Sequence, residues 1–465
     1  MSVTQDFGST FQPVDTYCLQ HFTWGDAGKN GVPNTRVYWI AHANKTGYQT
    51  NKYDDVNYYY SDDFGKTKNM IMQNGIAFQI HSNLTFLLKY EGSQDVGLYV
   101  SKDFVHSFRK SQFPFREELE ENEFQILDTS TGAAYLAVNH GSITSKWSHL
   151  YLSNSLGNMY SLSLPYVHRG VYAITDFSKF LGLEGIYIAN AMSANDVNSA
   201  TLLLKTYITF DNGGQWQQLA PPARDANNQP IICSGSVCKL HLHYHTSWLT
   251  SNYGPFYSTP NSVGLILATG NIGEYLSFED DKVNTYFSRD AGLTWYEIRK
   301  GSTIYEIGDH ASIIVMADNM HTSDSVQYSL DQCLSWNTVK VFDTKYLIRN
   351  IMIEPSFTGR SFVVFATDDN GNTIVASLDL GNIHERTCTN ADYEDFTPND
   401  GRTGTNCLLG RSVTYTRRKR TATCYNAQDA EHIKSIQNCE CMAEDWEWSE
   451  RILFFFVSFN QNAFK

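Results

Sequence analysis

Ser288-Arg289-Asp290-Ala291-Gly292-Leu293-Thr294-Trp295 reads S-x-D-x-G-x-T-W, the pattern of an Asp-box, a tight turn between two antiparallel strands. The chemistry explains the spacing. A short acidic side chain such as Asp290 accepts hydrogen bonds from the amides of its own turn. Gly292 supplies a positive-φ position that a residue with a Cβ resists. Ser288 and Thr294 offer hydroxyls to tie the two ends, and Trp295 anchors the turn to the packed side of a sheet.

The box recurs in relaxed form. Ser61-Asp62-Asp63-Phe64-Gly65-Lys66-Thr67 follows the strand-like Asn57-Tyr58-Tyr59-Tyr60. Ser101-Lys102-Asp103-Phe104-Val105-His106-Ser107 has valine in the glycine place, and Ser329-Leu330-Asp331-Gln332-Cys333-Leu334-Ser335-Trp336 has cysteine there. Thr209-Phe210-Asp211-Asn212-Gly213-Gly214-Gln215-Trp216 is a further copy, and Ser153-Asn154-Ser155-Leu156-Gly157 is an echo without the aspartate. Most starts lie about 40 to 55 residues apart, the size of a four-stranded propeller blade. Asp63, Asp103, Asp211, Asp290 and Asp331 therefore read as turn fasteners.

Between the boxes lie apolar runs bounded by turn residues: Val37-Tyr38-Trp39-Ile40, Gly185-Ile186-Tyr187-Ile188, Leu265-Ile266-Leu267-Ala268, Ile313-Ile314-Val315-Met316 and Phe362-Val363-Val364-Phe365. Each suits a buried inner strand. The long gap from 209 to 288 reads as an insertion or as a blade without a box. The box pattern stops near 381. The fold class is all-β: a partial Asp-box β-propeller of six or seven blades over 1–380, then a cysteine-rich module over 381–448 and a divergent tail over 449–465.

Composition agrees. Aromatic residues make up 14% of the 465, which favours strands. The formal charge of −14 (35 Lys and Arg, 49 Asp and Glu) counts against nucleic acid as a partner, because such binding neutralises phosphates. Of the nine cysteines, Cys388, Cys407, Cys424, Cys439 and Cys441 crowd together, and Cys233 and Cys238 form a close pair. With the sequons at Asn44 and Asn83, this points to an oxidising, secretory compartment and glycosylation at both asparagines. The start has no signal-peptide pattern, and no run approaches the roughly 18 apolar residues of a membrane span. Oxidised modules without signal or anchor suggest part of a longer protein.

Several stretches resemble the sortilin family of sorting receptors, whose luminal vacuolar-protein-sorting-ten domain joins an Asp-box propeller to a cysteine module. The nearest in pattern are the sortilin-related receptors. The resemblance is carried by Ile208-Thr209-Phe210-Asp211-Asn212-Gly213-Gly214-Gln215-Trp216, Cys238-Lys239-Leu240-His241-Leu242-His243, Leu265–Gly273 and Gly308-Asp309-His310. It is strongest at Cys388-Thr389-Asn390-Ala391-Asp392-Tyr393, Cys407-Leu408-Leu409-Gly410, Arg417-Arg418-Lys419 and Cys424-Tyr425-Asn426. It implies a ten-bladed propeller, of which this chain holds a part. It also implies disulfides Cys233–Cys238, Cys388–Cys424 and Cys407–Cys439, with Cys441 unpaired because Trp448 stands where its partner belongs and with the partner of Cys18 upstream. The implied ligands are peptides or propeptides held in the propeller tunnel. The tunnel arginine of the family falls near Gly97 here, so that contact is absent, and the tunnel tyrosine falls near Phe124, which keeps the ring. No cofactor is implied. The implied setting is the luminal side of Golgi and endosomal membranes, reached through an anchor outside this chain, and a homodimer is compatible with it.

Other chemistries remain to be weighed. Asp-boxes also occur in sialidases and propeller glycosidases, which need an arginine triad or two placed carboxylates. The run Glu117-Glu118-Leu119-Glu120-Glu121-Asn122-Glu123 reads as a solvated loop rather than such a pair. His241, His243 and His245 alternate along a strand and would share one face, as metal ligands could, but a structural role is preferred. Arg417-Arg418-Lys419-Arg420 could be a convertase site, a nuclear signal or an acidic-ligand patch, and again a structural or surface role is preferred.

Overall fold

A computed structural model describes residues 1–24, 32–44, 55–81, 83–92, 95–114, 124–140, 144–232, 237–402, 404, 406–426 and 432–440. Antiparallel strands account for nearly all of its regular structure, and among the described residues they fall into a two-stranded N-terminal sheet, seven blades and a small C-terminal sheet. Blade 1 comprises Cys18–Trp24, Val37–His42, Val56–Ser61 and Asn69–Gln73. Blade 2 comprises Gly75–His81, Leu84–Gly92, Asp95–Ser101 and Arg109–Lys110. Blade 3 (Phe124–Asp128, Tyr135–Val138, Trp147–Ser153, Tyr160–His168) runs into blade 4 (Phe177–Lys179, Tyr187–Ala191, Lys205–Thr209, Gln217–Gln218) through the Val167–Ala191 pair. Blade 5 holds Lys239–Leu242, Ile266–Gly273, Asn284–Ser288 and Tyr296–Lys300, and blade 6 holds Thr303–Gly308, Ile313–Asp318, Ser325–Ser329 and Asn337–Lys340. Blade 7 has three strands, Leu347–Met352, Ser361–Thr367 and Thr373–Asp379, and the module sheet is Tyr393–Phe396, Arg411–Arg418 and His432–Asn438.

The apolar runs seen in the sequence are second strands, not first ones. Val37–His42 is buried along its whole length, and Ile313–Asp318 along all but its last residue. A second strand has partners on both edges and a neighbouring blade on each face, so both of its faces must be apolar. The gap from 209 to 288 is an insertion: the first strand of blade 5 breaks off after Leu242 into the helix His245–Ser251, and the second strand begins only at Ile266. Among the described residues no helix is long and apolar enough to cross a membrane.

Every box joins the third strand of its blade to the fourth. In the box at 288, Asp290 Oδ1 accepts the Ser288 hydroxyl at 3.0 Å and the Thr294 N–H at 2.8 Å, while the Gly292 N–H donates to Ser288 Oγ at 2.9 Å. The boxes at 61, 209 and 329 repeat these bonds to within a few tenths of an ångström. The turn needs two consecutive left-handed residues after the aspartate. They are Phe64 and Gly65, Asn212 and Gly213, Ala291 and Gly292, and Gln332 and Cys333. Val105 breaks the rule, because a β-branched residue resists positive φ. There only Phe104 is left-handed of the pair, and Asp103 takes the N–H of His106, one residue earlier than in the other boxes. In the echo at 153, the Asn154 side chain accepts the N–H groups of Leu156, Asn158 and Met159 and so does the work of the missing aspartate.

The sequence reading missed one box. Thr4-Gln5-Asp6-Phe7-Gly8-Ser9-Thr10 joins the short strands Ser2–Val3 and Gln12–Pro13, with Asp6 accepting the Thr4 hydroxyl at 2.8 Å and the Thr10 N–H at 2.8 Å. Phe7 and Gly8 are its left-handed pair.

Four of the box glycines also abut the blade or segment before them. A Cβ built on Gly292 would lie 2.7 Å from Ile208 Cδ1 of blade 4, and one on Gly157 would lie 2.9 Å from Val100 Cγ1 of blade 2. Gly213 faces Tyr135 and Ser163 of blade 3, and Gly65 faces Val14. Gly292→Ala should therefore cost about 2–4 kcal/mol of unfolding free energy, from left-handed strain plus overpacking. Gly301→Ala, with φ +85° but nothing within 4 Å of the new Cβ, should cost only about 1–2 kcal/mol. Chemical denaturation of both variants checks this, and equal costs would contradict the packing role.

Candidate functional site

Antiparallel order divides the propeller into two faces. Turns from first to second strand and from third to fourth lie at one end of a blade; the remaining connections lie at the other. All the boxes share the first end, and the cysteine module sits there. Arg417 Nη1 donates to the Arg289 carbonyl at 2.6 Å, and Arg418 Nη2 to the Leu330 carbonyl at 2.5 Å. Arg420 Nη2 donates to the Gln332 carbonyl at 2.8 Å, and Arg402 Nη2 to the Asp211 carboxylate at 3.1 Å. Glu394 receives both Arg289 (2.5 Å) and Arg417 (3.0 Å). Phe396 and Tyr415 of the module join the core of blades 4 and 5. The basic run of the sequence is thus an anchor set on the box turns: Arg418 is only 2% exposed and Arg417 only 7%. Buried guanidinium groups satisfied by carbonyls and carboxylates are costly to unpair, and a protease cannot reach them in the folded chain.

The same dock includes a strained turn. Asp309, His310 and Ala311 are all left-handed, and Asp309 accepts the Asn426 N–H at 3.0 Å while its carbonyl takes the Asn426 side chain at 2.6 Å. The structure joins Cys388 to Cys424 and Cys407 to Cys439. Cys238 is disulfide-bonded, and Cys233 lies outside the described residues, as do Cys441 and the acidic run 117–123. Cys18 is a half-buried free thiol and Cys333 a buried one. Asn44 and Asn83 are both exposed.

The opposite face carries a cavity of about 600 Å³ among the connections of blades 3 to 5. Its walls come from connections that no local pattern unites: 144–146, 168–173, Leu202, Thr246–Ser247 and Phe278. Two excursions from the inner strands meet here, the bulge closed by the Arg169–Thr175 bridge and the helix His245–Ser251. Asp176 ties them together. It accepts His168 Nδ1 at 2.8 Å, the Thr246 hydroxyl at 2.5 Å and the Asn190 amide at 3.4 Å. Asn190 also donates to the Leu242 carbonyl at 3.0 Å and accepts the Thr206 hydroxyl at 2.6 Å, and the Thr206 N–H donates to His241 Nδ1 at 3.1 Å. A buried polar ladder therefore crosses three blades.

Within that ladder His241 and His243 are scaffold. His243 Nδ1 lies 3.0 Å from Ser247 Oγ, and its ring stacks on Tyr253 at 4.4 Å. His245 stands exposed at the start of the helix. Phe124 opens the first strand of blade 3, half-buried against the core of blades 1 to 3. Its neighbours Gln125 and Ile126 line a smaller cavity of about 230 Å³, and Gly97 lies on the third strand of blade 2. The aspartates of the boxes bond their own turns, and Asp211 also takes Arg402, on the face away from both cavities.

The comparisons with known proteins agree with this architecture. A family profile described as sortilin, neurotensin receptor 3 matches residues 1–351, and its C-terminal counterpart matches 353–451. The chain belongs to the sortilin/Vps10 family. It is 30% identical over 461 residues to the vacuolar protein sorting/targeting protein 10 of Mycosarcoma maydis, covering 95% of this chain and 30% of that protein. To the protein of the same name in Phaeosphaeria nodorum it is 32% identical over 463 residues, covering 94% and 31%. The chain thus spans about a third of the length of these relatives. A solved structure, the β-propeller domain of the trilobed protease of Pyrococcus furiosus, overlaps 75% of this chain and 93% of its own at 8% identity and a TM-score of 0.29. That overlap is too loose to carry an argument.

Burial pushes the His241 and His243 imidazoles down, to about 4 and about 3. Both stay neutral in the fold but protonate near the usual 6.5 once it opens. Their contribution is fully present above that value and is lost as pH falls from there toward 4. Each should remove about 1–2 kcal/mol of stability between pH 7 and pH 5. Urea denaturation at both values should show a smaller loss in His243→Gln than in the parent chain; an unchanged loss would contradict the assignment.

Proposed function

We propose that this chain is part of the luminal ligand-binding region of a sorting receptor, binding peptides or propeptides and helping to route them between Golgi and endosomes. The observation that carries the reading is the cavity among the connections of blades 3 to 5, on the face left open by the module, in a chain of the sortilin/Vps10 family. The first strands of blades 3 and 4 line the smaller cavity, and strand edges beside a pocket suit an extended peptide, with main-chain bonds giving affinity and pockets giving choice. Membrane attachment would come through a segment outside this chain, and self-association as a homodimer is compatible with the open face.

The reading is non-enzymatic. A glycosidase or sialidase needs carboxylates converging on a cleft. The cavity has no carboxylate in its lining among the described residues, and the five box aspartates serve turns at the other end of the blades.

The test is binding of a synthetic peptide library to the immobilised chain at neutral pH, with a fluorogenic sialoside and a glucan as enzyme controls. Saturable peptide capture without hydrolysis is expected. Hydrolysis abolished by a carboxylate substitution would replace this reading with the glycosidase one, and no capture of any peptide would contradict it.

A further inference from the structure

Glu306 is a buried carboxyl without a cation beside it. It lies on the first strand of blade 6, opposite Val315 of the second strand, and is only 8% exposed. The other buried carboxylates among the described residues are all paired: Asp15 with Lys68, Asp176 with His168, Glu297 with Lys300, Asp309 with Arg360 and Asp400 with Arg402. Glu306 has hydrogen bonds instead. Its Oε1 accepts the Tyr257 hydroxyl and, at 2.8 Å, the Ile307 N–H. A buried carboxylate that lacks an opposite charge is costly, and such a group tends to hold its proton.

Three blades meet at this carboxyl. Tyr257 comes from blade 5, on the segment that resumes pairing with the second strand through the Tyr257–Leu267 bridge. From blade 7 comes the turn after its first strand, where the Gly359 carbonyl takes the Asp309 N–H at 2.9 Å. The contact is close: a Cβ on Gly308 would lie 2.6 Å from Phe362 of blade 7. None of the titratable groups on these elements offers Glu306 a free positive charge. Burial and Glu306 itself push the Tyr257 hydroxyl up, so it stays a donor, and Tyr305 donates to the Pro255 carbonyl. Glu354, on the turn of blade 7, is a second negative charge. Partial burial opposes its ionisation, but the Ser356 hydroxyl and the Gly359 and Thr358 N–H groups hold it below the usual carboxylate range. Arg360 on the same turn is taken by Asp309 and by the face of the Tyr425 ring. Burial, with the charge of Glu354 adding to it, pushes Glu306 up to about 7 against the bonds from Tyr257 and Ile307.

We infer that Glu306 makes the junction of blades 5, 6 and 7 a proton-binding site, one that fills between neutral and mildly acidic pH and tightens the first strand of blade 6 when filled. The proton removes a buried charge and its repulsion with Glu354, while Tyr257 still donates to the carboxyl. The sign is opposite to that of His241 and His243. A carboxyl raised in the fold contributes stability that is fully present below its ordinary value of 4.5 and is lost as pH rises through about 7. Mild acid therefore strengthens this junction while it weakens the core around the two histidines. Neither effect depends on which ligand the chain binds.

Infrared difference spectroscopy of the whole chain tests the site directly. A protonated-carboxyl band should grow in between about pH 8 and about pH 6, where ordinary carboxyls stay ionised, and should be missing in Glu306→Gln. Urea denaturation reads the consequence. Glu306→Gln mimics the protonated form, so its midpoint should exceed that of the parent at about pH 8 and approach it at about pH 5. Tyr257→Phe removes the hydroxyl that favours the ionised form, so the band should move to higher pH; this variant carries the test should Glu306→Gln fail to fold. A spectrum without the band above about pH 6, or a band that persists in Glu306→Gln, would overturn the proton site. A midpoint difference that does not change with pH would overturn the tightening.

Discussion

Two consecutive left-handed residues after an aspartate are the constraint on which this propeller depends. Left-handed backbone is costly outside glycine, and the box offsets that cost by giving each exposed amide of the turn a side-chain oxygen. What the turn gains is shape: its second left-handed residue carries little or no side chain and lets the preceding blade approach. Gly65, Gly157, Gly213 and Gly292 all meet the blade or segment before them. Cys333, the one cysteine in that place, is buried with Leu265, Leu267 and Phe287 of blade 5. The box therefore shapes its hairpin and also forms part of the seam between blades.

The seam explains how the module attaches. Turns that bond their own amides leave carbonyls and carboxylates pointing outward, and these are what Arg402, Arg417, Arg418 and Arg420 take up. The module meets the box turns of blades 4, 5 and 6, and Tyr425 packs on into the core of blades 6 and 7. With that end covered, the connections at the other end stay open, and there the bulge before blade 4 and the helix of blade 5 are locked together by Asp176.

Much of the fold was legible because a box is local chemistry, written within eight residues. Its failures are physical too. The box at Thr4–Thr10 matches the pattern, but its flanking strands are two residues long and carry no apolar run, so nothing beside it in the sequence signals a blade. The continuous apolar runs read as inner strands but are second strands, which have a partner on each edge and burial on both faces. The cavity was not legible: its lining spans residues 144 to 278 and meets only through blade packing. The basic run showed its charge in the sequence but not its burial, which depends on a dock formed across some 130 residues, from Arg289 to Arg417.

Hydrogen exchange at the amides of Gly65, Gly213, Gly292 and Cys333 tests the central claim most directly. Each of these N–H groups donates to the serine or threonine oxygen of its box. If the boxes form the seam between blades, these turn amides open only with the sheet and are as protected as those of Val37–His42 and Ile313–Asp318. Exchange at the fast rate of open surface turns, with the strands still protected, would contradict the account.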